Sequence, residues 1–223
     1  LRRITDFIEA REAVPGIRRA NAGVKASRRR PWHPTPNAFV PPEDGGWLPV
    51  GPTAMKFNPQ GDGPVPHALS IPEIHRVLDA FVTAAQRAVA AGFKVIELHA
   101  AHGYLLHSFL SPLMNRRTDA YGGPFDHRVS LLLDTVRQAR RAIPDSTPLL
   151  VRLSATDWVE GGWSIEDSVA LAALLRREGV DLVRVAGGWL AVAAISGPGF
   201  GAAGAAGRAG GWQAGLGAAS VSR

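Results

Sequence analysis

The side chains best suited to chemistry in this chain lie at the end of one short apolar segment. Residues 95–98 are mostly β-branched or aliphatic, and His99, His102 and Tyr104 follow within six positions. The apolar run indicates a buried parallel strand, and parallel sheets of α/β proteins bind ligands at the C-terminal ends of their strands. Two imidazoles and a phenol at such an end can converge on one small molecule.

The elements around this segment are predicted to alternate between helix and strand. A helix begins after Ser70, because Pro72 lies in its first turn and Glu73 completes the pattern of a capping box. Apolar periodicity predicts further helices over residues 4–13, 129–143 and 165–178, and strands over residues 14–17, 149–154 and 180–185. Strands and helices that alternate with short connections predict a parallel sheet built from right-handed crossover units.

The charged residues of the predicted strands share one face. On a period of two, Glu97 and His99 point to the side opposite their aliphatic neighbours, and Arg152 does the same in its own strand. A (β/α)8 barrel produces this arrangement, with aliphatic residues under the helices and selected polar residues facing the axis. The sequence therefore favours an α/β barrel, with an ordinary doubly wound sheet as the alternative.

Composition excludes several classes of protein. The 223 residues are 46% hydrophobic and include no cysteine, which rules out disulfides and thiolate metal sites and is typical of a cytoplasmic protein. No apolar run reaches the roughly 18 residues of a membrane span, so no membrane partner is expected. The net charge is +6, but arginines are scattered along the chain, so no nucleic-acid partner is expected either.

Two stretches fall outside the alternating pattern. Residues 24–69 are rich in Pro, Gly, Trp and Asn and form an excursion within a domain predicted to span residues 1–188. The spacing of Trp32, Trp47 and Phe57 favours an ordered lid over a free linker. Residues 189–223 form a Gly/Ala-rich tail without helix or strand periodicity and are predicted to be irregular.

Three motifs resemble those of one enzyme family. They are H-A-A-H-G-Y at residues 99–104, F-L-S-P-L-M-N-R-R-T-D-A-Y-G-G at 109–123 followed by Arg128, and L-V-R-L-S-A at 150–155. In this order they resemble the bacterial branch of the old yellow enzymes, FMN-dependent ene-reductases, over residues 1–188. The resemblance implies a (β/α)8 TIM-type barrel with FMN at its C-terminal mouth, NADH or NADPH as reductant and an enone-type alkene as substrate. It places the strands of this chain as roughly the third to the sixth of eight, so the barrel is partial and truncated at both ends.

The same resemblance assigns roles to individual residues. His99 and His102 resemble the pair that binds the carbonyl oxygen of an enone or the oxygen of a phenolic ligand. Tyr104 resembles the tyrosine that delivers a proton as a general acid. Arg152 resembles the arginine beside the pyrimidine edge of the flavin, where a fixed cation favours the anionic reduced ring.

Simpler interpretations of these residues remain open. The H-x-x-H spacing, with His107 nearby, could bind a metal, but no carboxylate lies at ligand spacing, so no metal site is predicted. Arg152 could neutralise Glu97 inside the barrel, and Tyr104 could merely pack under its loop. The motif over residues 115–128 is interpreted as a structural loop, because Gly-Gly permits a tight turn and charged residues can fix it.

The chain also departs from the family pattern. Arg18 stands where the family has a glutamine that bonds the flavin pyrimidine, and arginine can only donate hydrogen bonds. Arg184 stands where an acidic residue is usual, and the likeness ends near Phe200. Two hypotheses follow: an FMN-dependent oxidoreductase impaired by truncation, with Arg18 and Arg152 contacting the cofactor, or a non-catalytic barrel fragment or gene remnant without flavin. An open sheet edge would favour a homo-oligomer in either case.

Overall fold

The structure, a computed structural model, describes residues 1–187 and 219–220. Its helices are α1 (Arg2–Glu9), α2 (Ile71–Ala90), α3 (Leu105–Leu110), α4 (Phe125–Ala142) and α5 (Ile165–Arg177). Its strands are β1 (Gly16–Arg19), β2 (Val50–Gly51), β3 (His67–Ala68), β4 (Val95–Ala100), β5 (Leu149–Ser154), β6 (Leu182–Ala186) and β7 (Ala219–Ser220). None of the helices in these ranges is both long and apolar enough to cross a membrane.

The main sheet contains β1, β4, β5 and β6, which are parallel and adjacent in chain order. Helices connect successive strands, as in the βα units of a barrel wall. β7 pairs antiparallel with β6 at one edge, and β2 and β3 form a separate two-stranded parallel pair. The predicted parallel sheet of crossover units is confirmed.

The two faces of the sheet differ in polarity as the period of two predicts. Aliphatic side chains of β4 and β5 are buried under the helices, where they join the main core: Ile96, Leu98, Leu149, Val151 and Leu153. On the opposite face the strand register places Arg18 beside Glu97 and His99 beside Arg152, which in turn adjoins Arg184. The sheet therefore presents one apolar face to the helices and one charged face to the side that would form a barrel axis.

Element boundaries are where the sequence predictions need most correction. The capping box of Ser70 and Glu73 is present, and α2 follows it. The helix predicted over residues 129–143 begins earlier, at Phe125, because the helix can start directly after Pro124. The first strand begins at Gly16 rather than residue 14, because residues 10–15 form the turn after α1 and include Glu12 with φ of 57°.

The excursion over residues 24–69 folds back on itself through polar contacts. Arg28 pairs with Asp62, Arg29 pairs with Asp44, and Ser27 Oγ donates to the carbonyl of Val40 at 2.6 Å. The tryptophans from which a lid was predicted do not provide the packing, because Trp32 is 78% exposed and Trp47 is 59% exposed. The tail predicted to be irregular, residues 189–223, lies outside the described residues apart from β7.

Candidate functional site

A tight turn at the end of β4 brings the predicted site residues together. The N–H of Tyr104 donates to the carbonyl of Ala101 at 3.2 Å, and the two residues between them, His102 and Gly103, have φ of 60° and 71°. Glycine adopts a positive φ freely, whereas for histidine the left-handed region costs roughly 1–2 kcal/mol. The reversal folds the ring of His102 back towards the strand that carries His99.

The three rings form one cluster. The ring centroids of His99 and His102 lie 5.1 Å apart, as do those of His99 and Tyr104, and both pairs meet edge to face. His99 is 3% exposed, and its Nδ1 is buried without a hydrogen-bond partner in the described part of the chain. An unsatisfied buried nitrogen is costly, and a polar ligand atom would satisfy it.

Both histidines are neutral at physiological pH. Burial, followed by the charges of His102 and nearby arginines, lowers the pKa of His99 from 6.5 to about 4. Burial, followed by the charge of Arg152, lowers the pKa of His102 to about 4 as well. Each ring therefore carries a single N–H, and the pair can donate hydrogen bonds to an oxygen that gains negative charge.

Glu97 is the acceptor at the centre of the charged face. Its carboxylate accepts from Nε of Arg18 and, at 2.9 Å, from Nη1 of Arg184. The hydrogen-bonded ion pairs of Glu97 are with Arg18 and Arg184, whereas Arg152 interacts with Glu97 only through the longer-range attraction between their charges, which raises the pKa of Arg152. Among the described residues Arg152 has neither a hydrogen-bond nor an ion-pair partner.

The donors of this face fit an anionic, flat cofactor such as FMN. Three guanidinium groups share the face with one carboxylate, and burial together with the charges of Arg18 and Arg184 lowers the pKa of Arg152. An anion beside Arg152 would relieve that repulsion. Arg18 fits less well, because its Nε is already engaged by Glu97.

Lys25 is a neighbour of the site that the sequence did not single out. Its Nζ donates to the carbonyl of His102 at 2.6 Å and lies 4.1 Å from the ring centre of Phe57. Burial lowers the pKa of Lys25 to about 8. The position of Lys25 in the sequence did not indicate a place near the histidines, because the contact depends on how the segment after β1 lies across the turn.

The motif over residues 115–128 makes the contacts expected of a structural loop. Asn115 Nδ2 donates to the carbonyls of Phe109 and Tyr121, and Arg117 donates to the carbonyl of Pro52 at 2.8 Å. A Cβ on Gly122 would lie 2.4 Å from the Cβ of Arg117, so only glycine fits there. In the part of the chain that the structure describes, no group of three potential metal ligands occurs, and Nδ1 of His107 accepts a hydrogen bond from the N–H of Gly103.

The charged strand face therefore carries a histidine pair and a tyrosine at the C-terminal ends of its strands. Residues 1–196 match the family model described as the NADH:flavin oxidoreductase / NADH oxidase family, and the chain belongs to that family. The family implies FMN as cofactor and NADH or NADPH as reductant. The resemblance predicted from the motifs is thereby confirmed.

Individual relatives agree with the assignment of the chain to this family. The chain is 43% identical over 216 residues to an NADH:flavin oxidoreductase of Gibberella zeae, covering 90% of this chain and 52% of the relative. It is 40% identical over 201 residues to an NADPH dehydrogenase of Listeria monocytogenes, covering 90% and 53%. The chain thus spans about half the length of these curated relatives.

Solved structures give the same result for the fold. A 2-naphthoyl-CoA reductase superimposes with a TM-score of 0.72 at 28% identity, covering 84% of this chain and 28% of that one. An old yellow enzyme homologue from Zymomonas mobilis superimposes with a TM-score of 0.65 at 26% identity, covering 82% and 50%. The predicted fold class, a partial (β/α)8 barrel, is confirmed.

Proposed function

We propose that this chain carries the substrate-binding wall of an FMN-dependent NAD(P)H oxidoreductase that reduces activated alkenes of the enone type. The observation that supports this most directly is the ring cluster of His99, His102 and Tyr104. The rings of two neutral imidazoles and a phenol lie within one cluster, with the His102 and Tyr104 ring centroids each 5.1 Å from that of His99. This arrangement suits a substrate with a carbonyl oxygen and an adjacent carbon that must receive a proton.

FMN, when bound, supplies hydride transfer after taking two electrons from NADH or NADPH. The residues of this chain perform the remaining tasks. His99 and His102 hold the carbonyl oxygen and stabilise the negative charge that develops on it, and Tyr104 donates a proton to the carbon next to the carbonyl group. Arg152, which has no protein partner among the described residues, would hold the edge of the flavin ring.

A second candidate function is a non-catalytic barrel fragment that does not retain flavin. Arg18 favours it, because a guanidinium has no acceptor to match the paired donor and acceptor that an amide offers to a flavin pyrimidine, and its Nε is already engaged by Glu97. Colour distinguishes the two candidates. Protein purified with added FMN is yellow under the first proposal and colourless under the second.

A phenol titration of the FMN-loaded protein tests the roles of the side chains. A phenolate between His99 and His102 should produce a long-wavelength charge-transfer band. His99→Ala or His102→Ala should weaken phenol binding by roughly 1.5–3 kcal/mol, the scale of one hydrogen bond to a charged group. Tyr104→Phe should leave phenol binding nearly unchanged and slow enone reduction, since its proposed task is proton delivery.

His127→Ala is the matched control, because His127 is exposed on α4 and distant in sequence from the turn. It should change neither phenol binding nor enone reduction. The proposal for the histidine pair is wrong if the His99→Ala/His102→Ala double variant binds phenol as tightly as the parent.

A further inference from the structure

A buried pair of ionisable side chains lies behind the turn, and the proposed reaction does not use it. His107 in α3 and Asp157 in the loop after β5 both have fully buried side chains. The N–H of Gly103 donates to Nδ1 of His107 at 2.8 Å. The pair is thus attached to the residue that lies between His102 and Tyr104.

This hydrogen bond fixes the tautomer of His107. Because Nδ1 accepts from Gly103, the ring proton must be on Nε2. That nitrogen lies 3.3 Å from Oδ1 of Asp157, a close electrostatic contact whose angles fall outside hydrogen-bond geometry, and neither atom has a hydrogen-bond partner among the described residues. The negative charge of the buried carboxylate at this distance favours a proton on Nε2 and so stabilises the Nε2–H tautomer.

The other carboxylate oxygen of Asp157 is committed elsewhere. Oδ2 accepts from the hydroxyl of Ser111 at 2.6 Å and from the backbone N–H of Trp163 at 2.8 Å. Burial alone would raise the pKa of Asp157, but the interactions with His107, Ser111 and Trp163 outweigh it and hold the pKa below its ordinary value. Asp157 is an anion whose two oxygens have separate tasks.

The remaining polar groups of the turn are fixed by other elements. The N–H of His102 donates to Ser154 Oγ at 2.9 Å, and the N–H of Leu105 donates to the carbonyl of Asn21 at 2.9 Å. These acceptors are a hydroxyl and a carbonyl, whose ability to accept does not depend on a tautomer. The amide of Gly103 differs, because its acceptor exists only in one tautomer of His107.

We propose that Asp157 and His107 are positioning residues for the site: the carboxylate selects the tautomer, the tautomer holds the Gly103 peptide, and the peptide sets the directions of His102 and Tyr104. The consequence for ligand binding rests on the proposed function, whereas the series of contacts from Asp157 through His107 to Gly103 does not. Two consecutive residues with positive φ make the turn sensitive to the loss of one hydrogen bond.

Asp157→Asn tests this chain of contacts with little change in volume. The amide oxygen of asparagine must face the fixed N–H of Trp163, so its NH2 group faces Nε2 of His107. Two opposed donors are unfavourable, so we expect His107 to adopt the Nδ1–H tautomer, in which Nε2 accepts from the amide and the ring moves away from the N–H of Gly103. Its Nδ1 then cannot accept from Gly103, and the turn loses that hydrogen bond.

The experiment uses the full chain labelled with 15N and needs no flavin. Long-range 1H–15N spectra of the parent should show His107 as the Nε2–H tautomer, and Asp157→Asn should convert it to Nδ1–H. The Gly103 amide should then exchange with solvent roughly tenfold faster, the scale of one hydrogen bond, and the ring resonances of His102 should shift. Leu171→Ala, in the core of α5, controls for general loosening and should leave the tautomer unchanged.

With FMN present, Asp157→Asn should also weaken phenol binding. If the protein binds no flavin, the phenol measurement does not apply, and the tautomer and exchange measurements still test the contacts from Asp157 to Gly103. The spectrum of the parent protein tests the proposed tautomer of His107 even if Asp157→Asn does not fold. A parent His107 in the Nδ1–H form overturns the proposal. So does an Asp157→Asn protein whose tautomer and Gly103 exchange match those of the parent.

Discussion

Replacing Glu97 with glutamine should lower the stability of the protein and strengthen its binding of anions. Glu97 is 5% exposed and accepts hydrogen bonds from Arg18 and Arg184. Breaking a fully buried ion pair costs roughly 3–5 kcal/mol. The two arginine side chains are 39% and 49% exposed, so water can solvate them after the change. We therefore expect a loss of about 2 kcal/mol in the free energy of unfolding, below the range for a fully buried pair.

The effect on anion binding has the opposite sign. Glu97→Gln leaves three guanidinium groups on the face without a carboxylate, and an anion beside Arg152 no longer meets the negative charge. At a separation of roughly 8 Å between the Glu97 carboxylate and a bound anion, and an effective dielectric constant of about 40, their repulsion costs about 1 kcal/mol, which is about fivefold in Kd. FMN should therefore bind about fivefold more tightly to Glu97→Gln than to the parent.

Two measurements check this pair of effects. Urea unfolding followed by circular dichroism gives the stability, and quenching of FMN fluorescence gives the affinity. Glu160→Gln is the control, because Glu160 is exposed and the same charge is removed without breaking an ion pair in the described structure. The reasoning is refuted if Glu97→Gln is as stable as the parent, or if it binds FMN more weakly.

Much of the site could be predicted from the sequence because it depends on two simple regularities. A period of two places Glu97, His99 and Arg152 on one face, whatever the rest of the fold. Parallel strands end at the same edge of a sheet, so residues after β4 and within β5 must converge. The motif resemblance then supplied chemical roles that these regularities alone do not give.

The pairing of charges could not be predicted, because it depends on register. The sequence shows that Glu97 and three arginines can share a face, but only the alignment of β1 with β4 puts Arg18 opposite Glu97. A shift by two residues would have preserved the face and changed the partner. The sequence therefore could not show that Arg18 and Arg184, rather than Arg152, make the ion pairs with Glu97.

The role of His107 was hidden for a different reason. Its spacing from His99 and His102 suggested a metal ligand, since sequence shows spacing and not direction. In the structure His107 lies on α3, and its ring contacts the N–H of Gly103 and the carboxylate of Asp157. Asp157 belongs to the loop after β5, so only the packing of two βα units reveals the contact.

Three further predictions concern pH, backbone fit and cofactor binding. The pKa of His99 is about 4 in the folded protein and 6.5 for an unperturbed histidine, so the unfolded chain binds the proton more readily. The free energy of unfolding should therefore fall as pH drops from 6.5 to 4, by at most about 3 kcal/mol from this residue. Urea unfolding across this pH range should show a smaller fall for His99→Phe than for the parent. Gly23→Ala should cost more than about 1 kcal/mol, because φ is +58° and the new Cβ would lie 2.9 Å from backbone atoms of Leu105; a thermal midpoint equal to that of the parent would contradict this. Arg18→Gln should bind FMN more tightly, because an amide donor and acceptor for the pyrimidine contribute about 2 kcal/mol and the lost positive charge subtracts about 1 kcal/mol. Stability should fall by only about 0.5–1 kcal/mol, since the ion pair with Glu97 is partly exposed. Fluorescence titration measures FMN binding, and Arg19→Gln is the control, because it changes the neighbouring position on the opposite face of the strand. Weaker FMN binding by Arg18→Gln would show that residue 18 does not face the flavin.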